Sequence, residues 1–323
     1  MVEELERAQA RLDHIRTVEP ILSALRTISL GSWKAALKRS TAVRQYGERL
    51  TAILSLLVPH LPAKRRIRLT ERLGRRLRLS FPPAAGKERG RQVVILVVGS
   101  ERGLCGRFNA AVVERAEQYL AEQEDKGVQV EPWALGSRVH RLLLRRHRPL
   151  IWTGTLSLAA LPPFHLAFDL TRQWLARYED GELDAVDLVY NAYRGTGRYE
   201  PTVVRLIPSE LRPDSQGAQG RPWPPVIIET DPLSLYARVV EQWAAVKLYE
   251  LLLDSAAAEH STRYQLMESA SQNAERLIAE LTLVVQTGRQ KEITREMQEL
   301  AAGAGLIGPQ HNEQRDTGRR VGE

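Results

Sequence analysis

From Pro232 to Ala302 the chain runs 71 residues with no proline after the first, and no other feature constrains the fold as tightly. Asp231-Pro232 reads as a helix start, an N-cap acid followed by proline at the first helical position. Within the run Met267, Ala270, Ala274, Leu277, Leu281, Val284 and Gly288 recur at alternating steps of 3 and 4. That is a coiled-coil seam, with small residues where a partner helix must come close. One helix over these residues would measure about 105 Å at 1.5 Å per residue, longer than any globular core needs. Several shorter helices are the alternative, but no breaker stands before Gly288, so a single helix is expected.

A partner is available at the other end of the chain. From Val2 to about Val58 there is no Gly-Pro turn cluster, and Leu5, Ala8, Leu12 and Ile15 step by 3, 4 and 3 before Leu22 and Leu25 resume the seam. Pro20 interrupts it; an interior proline costs about 3 kcal/mol and kinks a helix, so bent or separately docked first turns are expected.

Between the two ends the pattern alternates. Gln92–Val98 is a β-branched run, Asn109–Glu124 reads as a helix, Val128–Leu135 as a strand and Ser137–Arg146 as a helix. Ile151–Thr153 reads as a short strand, Pro163–Tyr178 as a helix, and Ala185–Ala192 and Thr202–Leu206 as two further strands. Strands alternating with helices of ten to sixteen residues imply βαβ units around a mostly parallel sheet. The fold class is therefore α/β: a long antiparallel coiled coil of N- and C-terminal helices with an inserted Rossmann-like α/β domain. The expected division is a first coiled-coil helix over 1–60, a basic linker over 61–91, the α/β domain over 92–211, a Pro/Gly-rich loop over 212–230, the second coiled-coil helix over 231–307 and a disordered polar tail over 308–323.

Charge is placed unevenly. Of 46 Lys+Arg and 39 Asp+Glu, residues 64–78 hold eight bases and one acid, which leaves 38 of each sign elsewhere. The +7 of the whole chain is thus the charge of one segment, and a global basic surface seeking nucleic acid does not follow from it. That run could hold phosphates, but it has no aromatic residue for base stacking; the other reading is a solvated or partner-facing loop. A single cysteine, Cys105, excludes an intrachain disulfide and any Cys-rich zinc module. No apolar run approaches the roughly 20 residues that span a bilayer, and the acidic start Met1-Val2-Glu3-Glu4 does not read as a signal peptide. A cytosolic protein, or one peripheral to a membrane built by other subunits, is expected.

Catalytic motifs do not stand out. Gly99-Ser100-Glu101-Arg102-Gly103-Leu104-Cys105-Gly106 lies where phosphate loops lie, after a strand and before a helix, but it lacks the Gly-Lys-Ser/Thr of a P-loop and the dinucleotide spacing. It reads as a structural turn, with a ligand site as the alternative. Near the end of the last helix, Arg289-Gln290-Lys291-Glu292-Ile293-Thr294-Arg295-Glu296 crowds polar groups onto an otherwise apolar segment. This is either a solvated face or a grip, in which the Arg289 fork and the Gln290 amide reach acceptors on a partner. Leu300–Ile307 beyond it is small, apolar and uncharged, a surface whose weak undirected contacts permit sliding inside an apolar collar.

Three blocks together carry a family resemblance. They are Arg11-Leu12 through Ile15, Ile21, Ala24, Leu25 and Ile28; Ser100–Gly106 with Asn109; and Glu259-His260, Arg263, Met267, Ala270, Asn273-Ala274, Leu277-Ile278, Leu281-Thr282, Arg289-Gln290, Ile293-Thr294, Glu296 and Ala302-Gly303-Ala304. Pro201-Thr202-Val203 through Leu206-Ile207-Pro208 adds an end-of-domain strand. In this order, over about nine-tenths of the chain, they resemble the γ subunit of F-type ATP synthases. The resemblance implies a non-catalytic rotor shaft inside a ring of α and β subunits, its foot on the ε subunit and the membrane c-ring, coupling ion-driven rotation to ATP synthesis or hydrolysis on the β subunits. It implies a bacterial protein, peripheral on the cytoplasmic side of the inner membrane, with no cofactor of its own and no nucleic-acid partner. Arg289 and Gln290 would grip a β-subunit loop, and Leu300, Ala304, Leu306 and Ile307 would form the bearing tip. Arg65, Arg66, Arg75 and Arg76 would lie at the foot, against a partner or the membrane. Departures from the family pattern, Pro20, Leu25 for methionine, Arg107 for the second glycine and Gly288 for alanine, fit a divergent member, including the γ subunit of an alternate ion-pumping F-type ATPase. A basic coiled-coil scaffold or nucleic-acid binder is the alternative of another class.

Overall fold

A computed structural model describes residues 2–61, 91–157, 161–208 and 227–304. The expected basic linker with Arg65, Arg66, Arg75 and Arg76, residues 212–226 of the expected loop, Leu306, Ile307 and the 308–323 tail lie outside the described residues. Two long helices frame the chain, α1 over Val2–Leu57 and α5 over Pro232–Gly303. α5 starts as its sequence demands: Asp231 accepts the Ser234 N–H at 2.8 Å, which satisfies one of the orphan donors of the first turn. Pro20 lies inside α1 rather than ending it. Two compact units divide the chain, one of residues 23–269 and one of residues 1–22 with 270 onward, so each long helix contributes to both.

The larger unit holds the sheet. Its strands are β1 (Gln92–Val98), β2 (Gln129–Leu135), β3 (Trp152–Gly154), β4 (Ala185–Gly195) and β5 (Arg198–Ile207), in the order β3-β2-β1-β4-β5. The first four are parallel and β5 pairs antiparallel with β4. Every residue of β1 from Val93 to Val98 is buried, with alternate side chains entering opposite cores, the period-2 consequence of a sheet covered on both faces. Val93, Ile95 and Val97 pack with α2 (Phe108–Glu124) and α3 (Ser137–Arg145). Val94, Leu96 and Val98 pack with α4 (Phe164–Glu179) and with Leu248, Tyr249, Leu252 and Leu253 of α5.

Within this unit α1 runs antiparallel to α5. Arg26 pairs with Glu268, Arg44 with Glu250, and the Trp243 indole donates to Thr51 at 2.9 Å, so partner numbers fall as α1 advances. Buried Ser29, Ala36, Ser40, Gly47, Leu50, Leu54 and Leu57 mark the α1 seam, small first and leucine-rich later. At Gly47 an added Cβ would lie 3.3 Å from Val246, so the small residues set a close helix approach.

The smaller unit repeats the antiparallel order: Ser271 donates to Glu19 and Arg289 to Gln9, at 3.4 and 3.3 Å. Leu12 is buried as its seam predicts, and so are Met267 and Ala274 of the α5 seam, but one predicted seam residue is exposed. Val284 is 54% exposed while Val285 is 5% exposed. Ser271, Ala274 and Val285 are the buried positions here, so the seam keeps its expected register at Ala274 and has moved one residue on by Val285. The physical reason is drift: a helix at 3.6 residues per turn slips about 20° per heptad against a strict 3.5 repeat. Gly288 explains itself here. A Cβ there would lie 2.8 Å from Leu5 Cδ1, so the glycine gives the first turns of α1 room to seat.

Candidate functional site

The loop after β1 is a tightly constrained turn of the larger unit. Gly99 admits no side chain, since a Cβ would fall 1.8 Å from Val139 Cγ2. Leu104 and Gly106 then take left-handed φ of 61° and 57°, which reverses the chain into α2. Asn109, in the first turn of α2, closes the loop on itself. Its Oδ1 accepts the Ser100 N–H at 2.9 Å, and its Nδ2 donates to Ser100 Oγ at 2.8 Å and Cys105 Sγ at 3.3 Å. Burial pushes the Cys105 thiol pKa up, against hydrogen bonds from Ser100 and Asn109, so this cysteine is an inert core group.

Glu101 and Arg263 tie that loop to its surroundings. Glu101 accepts from the Ser137 hydroxyl and N–H at the start of α3 and from the Leu156 N–H at 3.0 Å. Burial works to raise its pKa, but these bonds and the Arg141 charge hold it below the usual glutamate value. Arg263 of α5 reaches across from the other side: its Nε and Nη2 donate to Gly103 O at 3.3 Å each, and Nη2 also to Arg102 O at 3.4 Å. The same guanidinium pairs with the largely buried Glu259 at 2.5 Å and donates to His260 Nδ1 at 3.2 Å. Burial pushes the Glu259 carboxyl up, opposed by Arg263; burial and then the Arg263 charge push His260 down to about 4. Two of the sequence blocks that carry the family resemblance therefore meet here, as one polar clasp between a loop and a helix.

The clasp has little room for a ligand. The cavity among Glu101, Arg102, Ser255, Glu259, His260 and Arg263 measures about 30 Å³, water-sized and far smaller than a nucleotide. The Ser100 and Cys105 side chains and the Arg102 and Gly103 carbonyls are engaged inside the protein, which favours the structural-turn reading of Gly99–Gly106. Among the described residues no group of three or more His, Cys, Asp or Glu is placed to hold a metal ion, and no helix is long and apolar enough to cross a membrane.

The grip candidates lie in the smaller unit. Arg289 and Gln290 are both exposed on α5, and among the described residues Arg289 donates one side-chain hydrogen bond, to Gln9 of α1 at 3.3 Å. An open groove of about 560 Å³ lies along the same stretch of α5, walled by Leu5, Leu283, Val284 and Gly288 and by the charged Glu4, Lys291, Glu292 and Glu296, but not by Arg289 or Gln290. Leu300 is 73% exposed and Ala304 is also exposed; Leu306 and Ile307, the rest of the expected tip, are beyond the described residues.

Sequence reasoning missed a second buried polar group. Asp187 of β4, fully buried, holds Arg205 of β5 through two bonds of 2.8 Å and accepts the Tyr119 hydroxyl at 2.7 Å. Burial, then the Asp187 contact, raises the Tyr119 pKa to about 12. The signal was legible: an aspartate inside the apolar run Ala185–Tyr190 demands a cation on the neighbouring strand, and Arg205 is its register partner.

Known proteins match this architecture and this chain. A family model described as ATP synthase matches residues 4–305. The ATP synthase gamma chain of Geotalea uraniireducens is 26% identical over 305 residues, covering 94% of this chain and 98% of its own. That of Anaeromyxobacter dehalogenans is 28% identical, covering 93% and 98%. Among solved structures, a chain of the Euglena gracilis mitochondrial ATP synthase OSCP/F1/c-ring assembly aligns with a TM-score of 0.57 at 14% identity, covering 97% of this chain and 99% of that one. A chain of the Tetrahymena thermophila mitochondrial ATP synthase central stalk and c-ring aligns at 0.53 and 18% identity, covering 78% and 99%. At such identities the structural likeness speaks for the fold.

Proposed function

The chain belongs to the ATP synthase gamma family, and from that premise we propose how its parts work as a rotor. As a gamma subunit it is a non-catalytic member of the complex, the central-stalk element through which rotation is coupled to ATP synthesis or hydrolysis on other subunits. α1 and α5 form a left-handed antiparallel coiled coil that enters a ring of α and β subunits, and the α/β domain sits at the foot with the ε subunit and the c-ring. The subunit is peripheral on the cytoplasmic face of a bacterial inner membrane. Arg289 and Gln290 grip one β subunit, Leu300, Ala304, Leu306 and Ile307 turn in the apolar bearing, and Arg65, Arg66, Arg75 and Arg76 lie near the foot.

The observation that carries this reading is the antiparallel pairing of the chain ends around Leu5–Gly288, which leaves Arg289 and Gln290 exposed on the turn of α5 that follows. Both side chains reach outward with donors that the chain itself hardly uses. The test is a complex reconstituted with Arg289→Glu and Gln290→Leu together. Assembly with α and β should survive, since neither residue is buried, while coupled ATP turnover falls at least tenfold, about the loss of one charge-assisted bond. Wild-type turnover in that complex removes the grip assignment.

A further inference from the structure

The outward face of α3 carries a charge pattern that neither the rotor reading nor the basic linker accounts for. Residues 137–151 hold five arginines and no acid, although the chain outside 64–78 carries no net charge. Two of the five are spoken for, Arg146 by Glu117 and Arg148 by Glu124 of α2. On α2 itself Arg115 is likewise paired, with Glu122. Arg138, Arg141 and Arg145 are different. They stand at i, i+3 and i+7, on one face of α3 opposite buried Val139 and Leu143. All three are exposed, and among the described residues none forms an ion pair. Arg141 lends its field to Glu101 and bonds only its own helix at Ser137 O; the Arg138 guanidinium rests against Gly103. Leu144, 50% exposed, lies beside them on the same outward side.

A solvated helix face normally mixes signs; this one is cationic with an apolar residue at its edge, and the neighbouring helix has used its carboxylates elsewhere. We propose that Arg138, Arg141, Leu144 and Arg145 form a docking surface for an acidic segment of a partner protein. The segment presents carboxylates at three- to four-residue spacing to the guanidinium forks and one apolar side chain to Leu144. Charge complementarity selects this occupant. The helix has spent its apolar face on its own core, so it cannot enter a bilayer, and the face has no aromatic residue on which a nucleobase would stack. Arginine, with its planar fork, is suited to bidentate carboxylates.

The test uses the whole assembled complex. Cys105 is 1% exposed, so Leu144→Cys gives this chain a single reactive thiol, to which benzophenone-maleimide is attached before the complex is assembled and irradiated. The expected adduct is a peptide rich in Asp and Glu at helical spacing. Its yield should fall at least fivefold in the Arg138→Glu, Arg141→Glu, Arg145→Glu background, and similarly when salt is raised from 50 to 300 mM. A lipid or nucleic-acid adduct, a peptide without net acid, no adduct, or a yield indifferent to both charge and salt overturns the proposal. If the reversed variant does not assemble, the salt series on Leu144→Cys alone decides. Assembly is measured separately, so failure here leaves the rotor reading standing.

Discussion

Removing the Arg263 side chain should expose Cys105, and the size of the effect follows from the clasp. Arg263 bonds two loop carbonyls, Gly103 O and Arg102 O, at 3.3–3.4 Å. Charge-assisted bonds are worth about 1.5–3 kcal/mol each, and these long ones belong at the lower end, so their loss should ease opening of the loop by about 3 kcal/mol. Since 1.36 kcal/mol is a factor of ten, Arg263→Ala should raise the rate at which a thiol reagent labels Cys105 by about a hundredfold. Cys105 is the chain's single cysteine and lies under this loop, so labelling reads local opening with no competing site. The assay is labelling at fixed pH, slow against reclosing, with circular dichroism confirming that the helices persist. Arg263→Lys should fall between, near tenfold, because it keeps a charge beside Glu259 but loses the fork. A rate within threefold of wild type in Arg263→Ala, with the fold intact, refutes the clasp: the loop would then be held by Asn109, Ser100 and Glu101 without it.

The other expectations are smaller in scope. Asp187→Asn leaves the partly exposed Arg205 and the Tyr119 hydroxyl facing a neutral amide, and should lower stability by about 1–3 kcal/mol in urea unfolding of the larger unit. Gly288→Val drives a branched side chain into Leu5 and should cost about 1–3 kcal/mol, read as faster amide exchange over residues 5–15. His260 is largely buried with its pKa lowered to about 4, so the unfolded chain binds its proton first as pH falls. The stability it contributes is complete above about 6.5 and is lost toward pH 4, by about 3 kcal/mol. Glu259, raised by burial, works in the opposite direction, so the comparison is wild type against His260→Gln: wild type should lose more stability between pH 6.5 and 4.5, and equal losses would contradict the assignment.

Much of the fold was legible because its elements announce themselves locally. β1 occupies Gln92–Val98 as its β-branched run predicts, and α5 begins at Pro232 because Asp231 caps it. The β4–β5 pair was underestimated. Its strands run to Gly195 and from Arg198, since antiparallel pairing through a two-residue turn can continue past the apolar part of each strand where polar side chains face solvent. The Val284/Val285 slip was invisible for another reason: heptad counting assumes a supercoil repeat that the helix does not keep over many turns. The site divides the same way. Arg289 and Gln290 could be picked out as polar groups on an apolar helix, whereas the partnership of Arg263 with Gly103 joins positions 160 residues apart, and no local pattern encodes that distance.

The placement of polar contacts between α1 and α5 has a mechanical sense. Apolar packing along Leu50, Leu54 and Leu57 against Tyr236, Val240 and Trp243 resists separation of the helices, but it is undirected, and a sliding step exchanges one apolar contact for another at small cost. Hydrogen bonds are not exchangeable in that way, because each has one partner at one angle. In the larger unit they recur along the pair: Trp243 on Thr51, Arg44 on Glu250 and Arg26 on Glu268, with Arg263 on the loop that follows β1. Two are part-buried side-chain pairs across the helices, and the last anchors the α/β domain itself to α5. A shaft under torque must hold its register while its faces turn past other subunits, and directional bonds set at intervals into an apolar seam supply the resistance to slip that burial alone lacks.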